Sequence, residues 1–310
     1  MDERTLTDFF DARKIVLFDS AMGTALHAAG QPAGTGSEEM NELMPEKVLQ
    51  IHRENIEAGS DVVTSNSFGV SQMMMRGDRE RGLSLLGESV RIAKEAAAGA
   101  GVAAGVGAVS DAGAGGRKAL ACLDIGPTGA MLGPYGDVSY ETAEEIFALM
   151  AREGARCGAD FILLETFADL EEFIRAAGAA KLSSGLPVLG TMTFGENGRS
   201  FMGAAPADFV REARALGLTA IGANCTLGPQ EMLPVIQDIL SLAEGLRVIT
   251  QPNAGQPVYR DGGTVYEITK EDFAAGAEEL INLGVSGIGG CCGTTPEMIS
   301  AVRGIIDSRR

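Results

Sequence analysis

Residues 161–192 read FILLETFADLEEFIRAAGAAKLSSGLPVLGTM, and this stretch joins two kinds of apolar pattern. Residues 161–164 and 188–192 are short, almost uninterrupted apolar runs, as expected of strands that are buried on both faces. Residues 170–182 between them have apolar side chains at helical spacing, and they follow Asp169, a residue type that helix N-termini favour. The stretch therefore predicts a strand, a helix and a second strand that lies parallel to the first.

The same alternation recurs along the whole chain. Strands are predicted near residues 15–18, 61–64, 119–123, 161–164, 188–192, 220–222, 247–250 and 287–289. Helices are clearest at residues 143–157, 170–182, 206–216, 230–243, 270–283 and 296–308. Eight strands in this order predict an α/β protein with a (β/α)8 TIM barrel rather than an open doubly wound sheet, because no GxGxxG turn follows the first strand.

We expect a single barrel domain over residues 1–310, since such barrels routinely reach this size. Residues 1–10 form a short amphipathic leader that can pack under the barrel. The stretch 96–116 is mostly Ala and Gly, and it is expected to form a frayed helix end and a flexible loop.

Charge and composition exclude several classes of function. The 42 Asp and Glu residues outnumber the 25 Lys and Arg residues, and the formal net charge of -17 repels phosphate backbones and anionic lipid surfaces. No apolar run approaches the roughly 20 residues that span a bilayer, and the start of the chain has no apolar signal core. We therefore expect a cytoplasmic protein that binds neither nucleic acid nor membranes. Five cysteines in so long a chain favour metal binding or catalysis over a disulfide framework.

The unusual residues of the chain lie directly after predicted strands, at the end where barrel enzymes build their active sites. They are Asp19, Asn66, Glu165, Asn224, Cys225, Asn253, Cys291 and Cys292. Because the carboxyl ends of all barrel strands meet at one mouth, Cys225 can meet Cys291 and Cys292 there. Three thiolates around Zn²⁺ leave one tetrahedral position open, which is the arrangement of a catalytic zinc rather than a structural one.

An open position on zinc suits a substrate thiol. A free thiol, with a pKa of about 8.5, is mostly protonated at neutral pH, whereas coordination to a divalent metal makes the thiolate available. Three cysteine ligands leave the zinc site with a net negative charge, so the bound sulfur keeps the nucleophilic character needed to attack a methyl carbon. The alternative is that the three cysteines are buried small apolar residues, since ordinary zinc sites use CxxC spacing. The glycines that flank Cys291 and Cys292 favour the metal site, because so open a backbone lets a ligand approach closely.

Seven short motifs carry a resemblance to a known family. They are Phe18-Asp-Ser-Ala-Met-Gly-Thr24, Asp124-Ile-Gly-Pro-Thr128, Leu164-Glu-Thr166, Gly190-Thr-Met-Thr-Phe194, Gly222-Ala-Asn-Cys225, Pro252-Asn-Ala-Gly255 and Gly289-Gly-Cys-Cys-Gly-Thr-Thr295. Spread nearly from end to end, they resemble the motifs of the homocysteine S-methyltransferase family. Gly198-Arg199 and Gly228-Pro229 look most like the homocysteine-binding module of cobalamin-dependent methionine synthase.

This resemblance implies a function and a set of site residues. It implies a (β/α)8 barrel with Zn²⁺ on Cys225, Cys291 and Cys292, which are then both the catalytic and the metal-binding residues. It further implies that Glu165 and Asp19 receive the amino group of homocysteine. Backbone amides near Met22, Gly23 and Thr24 would receive its carboxylate.

Two residues of the resemblance leave alternatives open. Asn224 is placed among the substrate-binding residues, but it can also orient the loops or have a purely structural role. Ser20 stands where the family usually has Gly, and the added hydroxymethyl group can narrow the amino-acid pocket or alter the turn.

The methyl donor is the part of the function that the residues define least. The resemblance implies methylcobalamin, S-methylmethionine or betaine. A DxHxxG cobalamin loop is absent, since neither His27 nor His52 has Asp two residues before it. We therefore expect homocysteine as acceptor and methylcobalamin on a separate corrinoid protein as donor. The alternatives are a free-standing enzyme that uses S-methylmethionine or betaine, a methyltransferase for another thiol, and a zinc- and thiol-binding scaffold without turnover.

Overall fold

The computed structural model describes residues 1–99, 119–136, 138–260 and 263–309. Its strands are β1 Val16–Leu17, β2 Val62–Thr64, β3 Leu120–Ile125, β4 Ile162–Phe167, β5 Val188–Met192, β6 Ala220–Asn224, β7 Arg247–Gln251, β8 Val258–Arg260, β9 Gly263–Val265 and β10 Gly287–Ile288. Its helices are α1 Glu3–Arg13, α2 Met22–Ala28, α3 Met40–Leu43, α4 Pro45–Glu57, α5 Val70–Met75, α6 Arg79–Gly99, α7 Tyr140–Arg156, α8 Leu170–Ser184, α9 Pro206–Ala215, α10 Pro229–Leu242, α11 Lys270–Leu283 and α12 Pro296–Ser308. Short 3-10 helices cover Ser37–Glu39 and Gly133–Tyr135.

The strands form the predicted barrel. Eight of them make one sheet with the order β1-β10-β7-β6-β5-β4-β3-β2, and the strands that are neighbours in this order pair in parallel. The strands β8 and β9 form a separate antiparallel hairpin in the loop between β7 and α11. The (β/α)8 TIM barrel is therefore confirmed, and β3 and β6 each extend two residues beyond their predicted ends.

The interior of the barrel has an apolar floor. Alternate side chains of each strand point inward, as the period of two along a strand requires. The inward side chains near the strand starts form one buried cluster, which contains Val16, Phe18, Val62, Leu120, Cys122, Phe161, Leu163, Leu189, Ala220 and Ile249. Leu6 and Phe10 of α1 belong to the same cluster, so the first helix packs under the barrel as expected. Cys122 is thus a core residue.

The Ala- and Gly-rich stretch divides at residue 99. Ala96 and Ala97 lie on α6 and are buried, whereas the expectation for residues 100–116 falls outside the described part of the chain. Among the helices that the structure describes, none has both the length and the apolar character needed to cross a membrane.

Side-chain carboxylates close the seam between β1 and β2, the two ends of the sheet order. The amide of Asp61 donates to the carbonyl of Leu17 at 2.6 Å, and the amide of Leu17 donates to Asp61 Oδ2 at 2.9 Å. Higher in the same seam, the amide of Thr64 donates to Asp19 Oδ2 and its hydroxyl donates to Asp19 Oδ1, both at 2.8 Å. In this seam, aspartate side-chain oxygens accept the backbone amide hydrogen bonds that strand carbonyls accept elsewhere in the sheet.

Two arginines neutralise the lower of these carboxylates. Arg13, at the end of α1, donates to Asp61 Oδ1 at 2.9 Å, and Arg303 of α12 donates to Asp61 Oδ2 at 2.6 Å. Arg303 also donates twice to the carbonyl of Gly59. The Asp61 side chain is fully buried, so this cluster ties the first and last helices to the seam with little competition from water.

We expect Asp61→Asn to lower the free energy of unfolding by about 3 kcal/mol or more, because it leaves two largely buried guanidinium groups without their carboxylate. Urea unfolding followed by circular dichroism measures the loss. Asp208→Asn is the matched control, since the pair between Asp208 and Arg211 is solvent-exposed and should contribute little to stability. Equal losses in both variants would contradict the proposed closing role of Asp61.

Candidate active site

The interior side chains change from apolar to polar at the carboxyl ends of the strands. Inward positions above the apolar floor are occupied by Thr64, Asp124, Glu165, Thr191, Asn224 and Gln251. They come from β2, β3, β4, β5, β6 and β7, so polar groups from six strands surround one space. The mouth of the barrel is therefore the candidate active site, in agreement with the position of active sites in this fold.

Cys225, Cys291 and Cys292 meet at this mouth. Cys225 directly follows β6, and two residues separate the end of β10 from the adjacent pair Cys291 and Cys292. One sulfur atom from each of the three lies within 4.8 Å of the others, and the Sγ atoms of Cys225 and Cys292 are 3.9 Å apart. All three cysteines are free thiols of intermediate exposure. The structure therefore brings together the three residues that the sequence predicts as metal ligands.

The local backbone holds these thiols in place. Cys225 and Thr226 both have a φ of 61°, a left-handed conformation that non-glycine residues rarely adopt. Hydrogen bonds stabilise it: the Cys225 amide donates to the Gln251 carbonyl at 3.0 Å, and the Leu227 amide donates to the Cys225 carbonyl at 2.6 Å. The Cys291 amide donates to the carbonyl of Pro252. Strand β7 and the residues after it thus anchor both halves of the cluster.

The geometry of the three sulfurs fits a zinc ion. Two sulfurs bound to one tetrahedral zinc at about 2.3 Å lie about 3.8 Å from each other. The 3.9 Å between Cys225 and Cys292 matches that spacing, and the 4.8 Å limit for the group needs only small side-chain shifts. Three thiolates also form the soft ligand set that zinc accepts, with a fourth position left for a substrate.

The three thiols interact strongly with one another. Hydrogen bonds from Cys225 and Cys291, with a further one from the Tyr266 hydroxyl, lower the pKa of Cys292 to about 3. Its hydrogen bonds to Cys225 and Cys292, together with burial, raise the pKa of Cys291 well above its ordinary value. The cluster therefore favours one thiolate held by neighbouring donors, and a cation is needed to stabilise further negative charge there.

Tyr266 is a site residue that the sequence did not reveal. It follows the β8–β9 hairpin, and its ring lies against Gly293, where an added Cβ would come within 2.1 Å of the Tyr266 Cγ. Gly293 also has a φ of +80°, so both its conformation and its contact require glycine. Tyr266 does not follow a barrel strand, and so no strand-end signal could identify it.

Asn224 connects the cysteine cluster to the loop after Glu165. Its Oδ1 accepts from the Thr166 amide and the Thr191 hydroxyl, both at 2.8 Å. Its Nδ2 donates to the Thr166 hydroxyl at 2.7 Å and lies 3.9 Å from Cys291 Sγ. Asn224 is fully buried, and it stabilises Thr166 at a φ of 63°. These contacts are those of a positioning residue, and a direct contact between Asn224 and substrate stays a prediction.

Asp19 and Glu165 both lie at the mouth, and they differ in their hydrogen bonding. Burial raises the pKa of Asp19 to about 7, although its two hydrogen bonds from Thr64 oppose the shift. Burial, followed by the negative charges of Asp19 and Cys292, raises the pKa of Glu165 to about 8. Among the described residues no hydrogen bond or ion pair to the Glu165 carboxylate is found, so it can accept a cationic ligand.

Met22, Gly23 and Thr24 form the first turn of α2, where amide groups have no acceptor within the helix. The Thr24 hydroxyl accepts from the Gly293 amide at 3.1 Å, which places this turn beside the cysteine pair. Ser20 is buried, its amide donates to Asn55 Oδ1, and its hydroxyl has no partner. The binding of the substrate carboxylate by this turn stays a prediction.

Several buried polar atoms at the mouth lack hydrogen-bond partners among the described residues. They are Ser20 Oγ, Asp124 Oδ1, Gln251 Oε1 and Asn253 Oδ1. Asp124 was not identified as a site residue from the sequence, although it directly follows the predicted third strand and therefore carried the same signal as the others. Unpaired buried groups are costly, and their concentration in one place is typical of a site that awaits a polar ligand.

The raised pKa of Glu165 predicts a pH effect on stability. Its folded pKa of about 8 lies above its ordinary value of 4.5, so the folded state binds this proton more tightly than the unfolded state does. The resulting stabilisation is present at low pH and is lost as the pH rises toward 8. We expect the melting temperature of Glu165→Gln, measured without added thiol, to gain on that of the wild type between about pH 5 and about pH 8.

The control for this effect is Glu141→Gln. Glu141 is exposed, and its backbone hydrogen bond lowers its pKa below the ordinary 4.5, so it is ionised in both folded and unfolded states from about pH 5 to about pH 8, and the melting curve of that variant should run parallel to the wild type's. Parallel melting curves for the wild type and Glu165→Gln across this range would rule out a strained carboxylate at the mouth.

Residues 16–306 match the family model described as homocysteine S-methyltransferase. The chain is 30% identical over 316 residues to methionine synthase of Mycobacterium tuberculosis, an alignment that covers 96% of this chain and 25% of that protein. It is 29% identical over 309 residues to methionine synthase of Mycobacterium leprae, covering 94% of this chain and 24% of that protein. The chain thus spans about a quarter of the length of these curated relatives.

A solved structure has the same fold. The metallated form of the homocysteine methyltransferase MmuM from Escherichia coli superposes with a TM-score of 0.78 at 21% identity, covering 97% of this chain and 99% of that one. The family model spans both the cysteine cluster and the barrel that carries it. The chain therefore belongs to the homocysteine S-methyltransferase family.

Proposed function

We propose that this protein binds zinc through Cys225, Cys291 and Cys292 and transfers a methyl group to the sulfur of homocysteine, which yields methionine. The convergence of three thiols within 4.8 Å at the mouth of the barrel carries the proposal. Membership of the homocysteine S-methyltransferase family and the similarity to methionine synthases support homocysteine as the acceptor. The match of residues 16–306 to one family model supports a single domain over the chain.

The residues around the cluster have complementary tasks in this proposal. Zinc bound by the three thiolates would keep the homocysteine sulfur as a thiolate at neutral pH. The carboxylates at the mouth receive the ammonium group, and the first turn of α2 offers amides to the carboxylate of the substrate. Asn224 accepts a hydrogen bond from Thr166 and lies beside Cys291, so it fixes the loop after Glu165 relative to the cysteine cluster. The sulfur and the ammonium group of the substrate are thereby held at a constant separation.

We propose methylcobalamin on a separate corrinoid protein as the donor. The loops at the mouth present large apolar side chains to solvent, among them Met131 at 61%, Phe201 at 92%, Met202 at 55% and Tyr259 at 77% exposure. These side chains follow β3, β5 and β7 and therefore surround the entrance. An apolar rim suits docking of another protein. In the reaction the methyl carbon forms a bond to sulfur while its bond to the donor breaks, and the leaving group keeps the electron pair.

The thiol cluster also supports a cytoplasmic location, since a reducing compartment keeps adjacent cysteines from forming disulfides.

Removal of one thiol should separate a catalytic zinc from a structural one. We expect Cys225→Ala to lose bound zinc and methyl transfer together while its circular dichroism spectrum stays that of the wild type, because Cys225 follows a strand and is not part of the apolar floor. Zinc is measured by elemental analysis and methionine by chromatography. Cys157→Ala is the matched control: Cys157 is the C-cap residue of α7 and its thiol donates to Glu153, so this variant should retain zinc and activity. Unfolding of Cys225→Ala would instead indicate a structural zinc.

The donor is tested with zinc-loaded protein and homocysteine. We expect free methylcobalamin to support methionine formation and S-methylmethionine to give at least tenfold less product in the same time. Turnover with S-methylmethionine alone would identify a self-sufficient enzyme and would exclude the corrinoid partner. Absence of product with both donors, in a protein that still binds zinc, would contradict homocysteine as the acceptor.

A further inference from the structure

Asp124 and Glu165 face the same space from adjacent strands. The inward positions of β3 are Leu120, Cys122 and Asp124, and the first two belong to the apolar floor. In β4 the inward positions continue through Leu163 to Glu165. Asp124 pairs in register with Leu163, so Glu165 lies one inward position higher. Strand spacing and rise then put the two Cα atoms roughly 8 Å apart, which leaves room for one small cation between the carboxylates.

One oxygen of the Asp124 side chain lacks a hydrogen-bond partner among the described residues, whereas the backbone groups of Asp124 are paired. Its amide donates to the Ser65 hydroxyl at 3.0 Å, and its carbonyl accepts from the Ser67 hydroxyl at 2.8 Å. The residue is only 4% exposed, yet its Oδ1 has no hydrogen-bond partner among the described residues. The backbone contacts hold this carboxylate in a definite position, and a buried carboxylate oxygen in such a position requires a donor from outside the chain.

The charges around Asp124 define the kind of donor. Its charged neighbours are Glu165, Asp19 and Glu38, all acidic. Glu38 accepts from the Gly69 amide, and within the described ranges no ion pair involves any of these four carboxylates. Burial and then the charge of Glu165 raise the pKa of Asp124 well above its ordinary value. The ammonium group of a ligand, with its several N–H donors, would supply the positive charge that lets these buried carboxyl groups ionise.

Asp19 differs from Asp124 in the hydrogen bonds that its side chain accepts. Both oxygens of Asp19 accept hydrogen bonds from Thr64 across the seam of the barrel, so its position is set by the closure of the sheet. Asp124 contributes nothing to that seam. Of these two buried aspartates, Asp124 is therefore the one whose oxygen is available to a ligand.

We propose that Asp124 is a substrate-binding residue that, together with Glu165, receives the ammonium group of the amino-acid thiol and so selects this substrate over thiols without an amino group. The inference rests on the proposed function, because it assumes that the acceptor thiol occupies the mouth beside the cysteine cluster. It adds a residue from β3 to the site and separates ammonium recognition from closure of the seam by Asp19.

The test compares two thiols that differ only in the amino group, homocysteine and 4-mercaptobutanoate. Dissociation constants are measured by calorimetry on zinc-loaded wild type and Asp124→Asn. We expect the variant to bind homocysteine about 10- to 100-fold more weakly, the effect of losing one charge-assisted hydrogen bond, and to bind 4-mercaptobutanoate within about twofold of the wild type. Circular dichroism and zinc content should be unchanged.

Glu172→Gln is the matched control. Glu172 is also a buried carboxylate, but its Oε1 accepts from the amide and the hydroxyl of Thr128 and it lies on α8, outside the barrel interior. This variant should keep the wild-type preference for homocysteine.

Two results would overturn the inference. Equal weakening of both thiols by Asp124→Asn would mean that Asp124 only supports the structure, and unchanged binding of both would mean that it does not face the substrate. In either case a wild-type preference for homocysteine would leave the proposed function intact. If the wild type binds the two thiols equally, ammonium recognition is absent, and the proposed acceptor fails with it.

Discussion

The carboxylate of Asp61, paired with Arg13 and Arg303, closes the barrel, and the active site depends on that closure. Parallel strands bring their carboxyl ends around one mouth only when the sheet curls back on itself. At the seam between β1 and β2, aspartate oxygens complete the hydrogen bonding from floor to mouth. At the floor the aspartate is neutralised by two arginines. At the mouth, within the described residues, Asp19 has no such cation, and burial raises its pKa to about 7.

The mouth combines a rigid frame with unsatisfied chemistry. Left-handed backbone at Thr166 and Cys225 and the left-handed Gly293 hold side chains in positions that ordinary strand ends would not reach. Unpaired oxygens on Ser20, Asp124, Gln251 and Asn253, and the burial that raises the pKa values of Asp124 and Glu165, reduce stability at the mouth. The apolar floor and the helices around the barrel supply the stability that offsets this cost. In the proposed function the ammonium group of the substrate would pair with these carboxylates, so that binding energy and selectivity would have the same source.

Much of the fold and part of the site could be predicted from local patterns. Apolar runs of strand length, separated by amphipathic segments, identified all eight barrel strands, because parallel strands buried on both faces have a distinctive composition. Residues after those runs predicted the meeting of Cys225 with Cys291 and Cys292. Asp124 also follows a predicted strand, so its sequence position carried the same signal as the other site residues. Tyr266 had no such signal, because a hairpin within a loop brings it back to Gly293.

The class of fold, the end of the barrel that carries the chemistry and the family all follow from residue type and order along the chain. Which carboxylates have unpaired oxygens depends on the folded structure. Asp19 and Asp124 both follow predicted strands, but one is engaged by Thr64 across the seam and the other has an unpaired oxygen. The physical reason is that hydrogen-bond satisfaction depends on which strands become neighbours when the sheet closes, and that relation is set by three-dimensional packing.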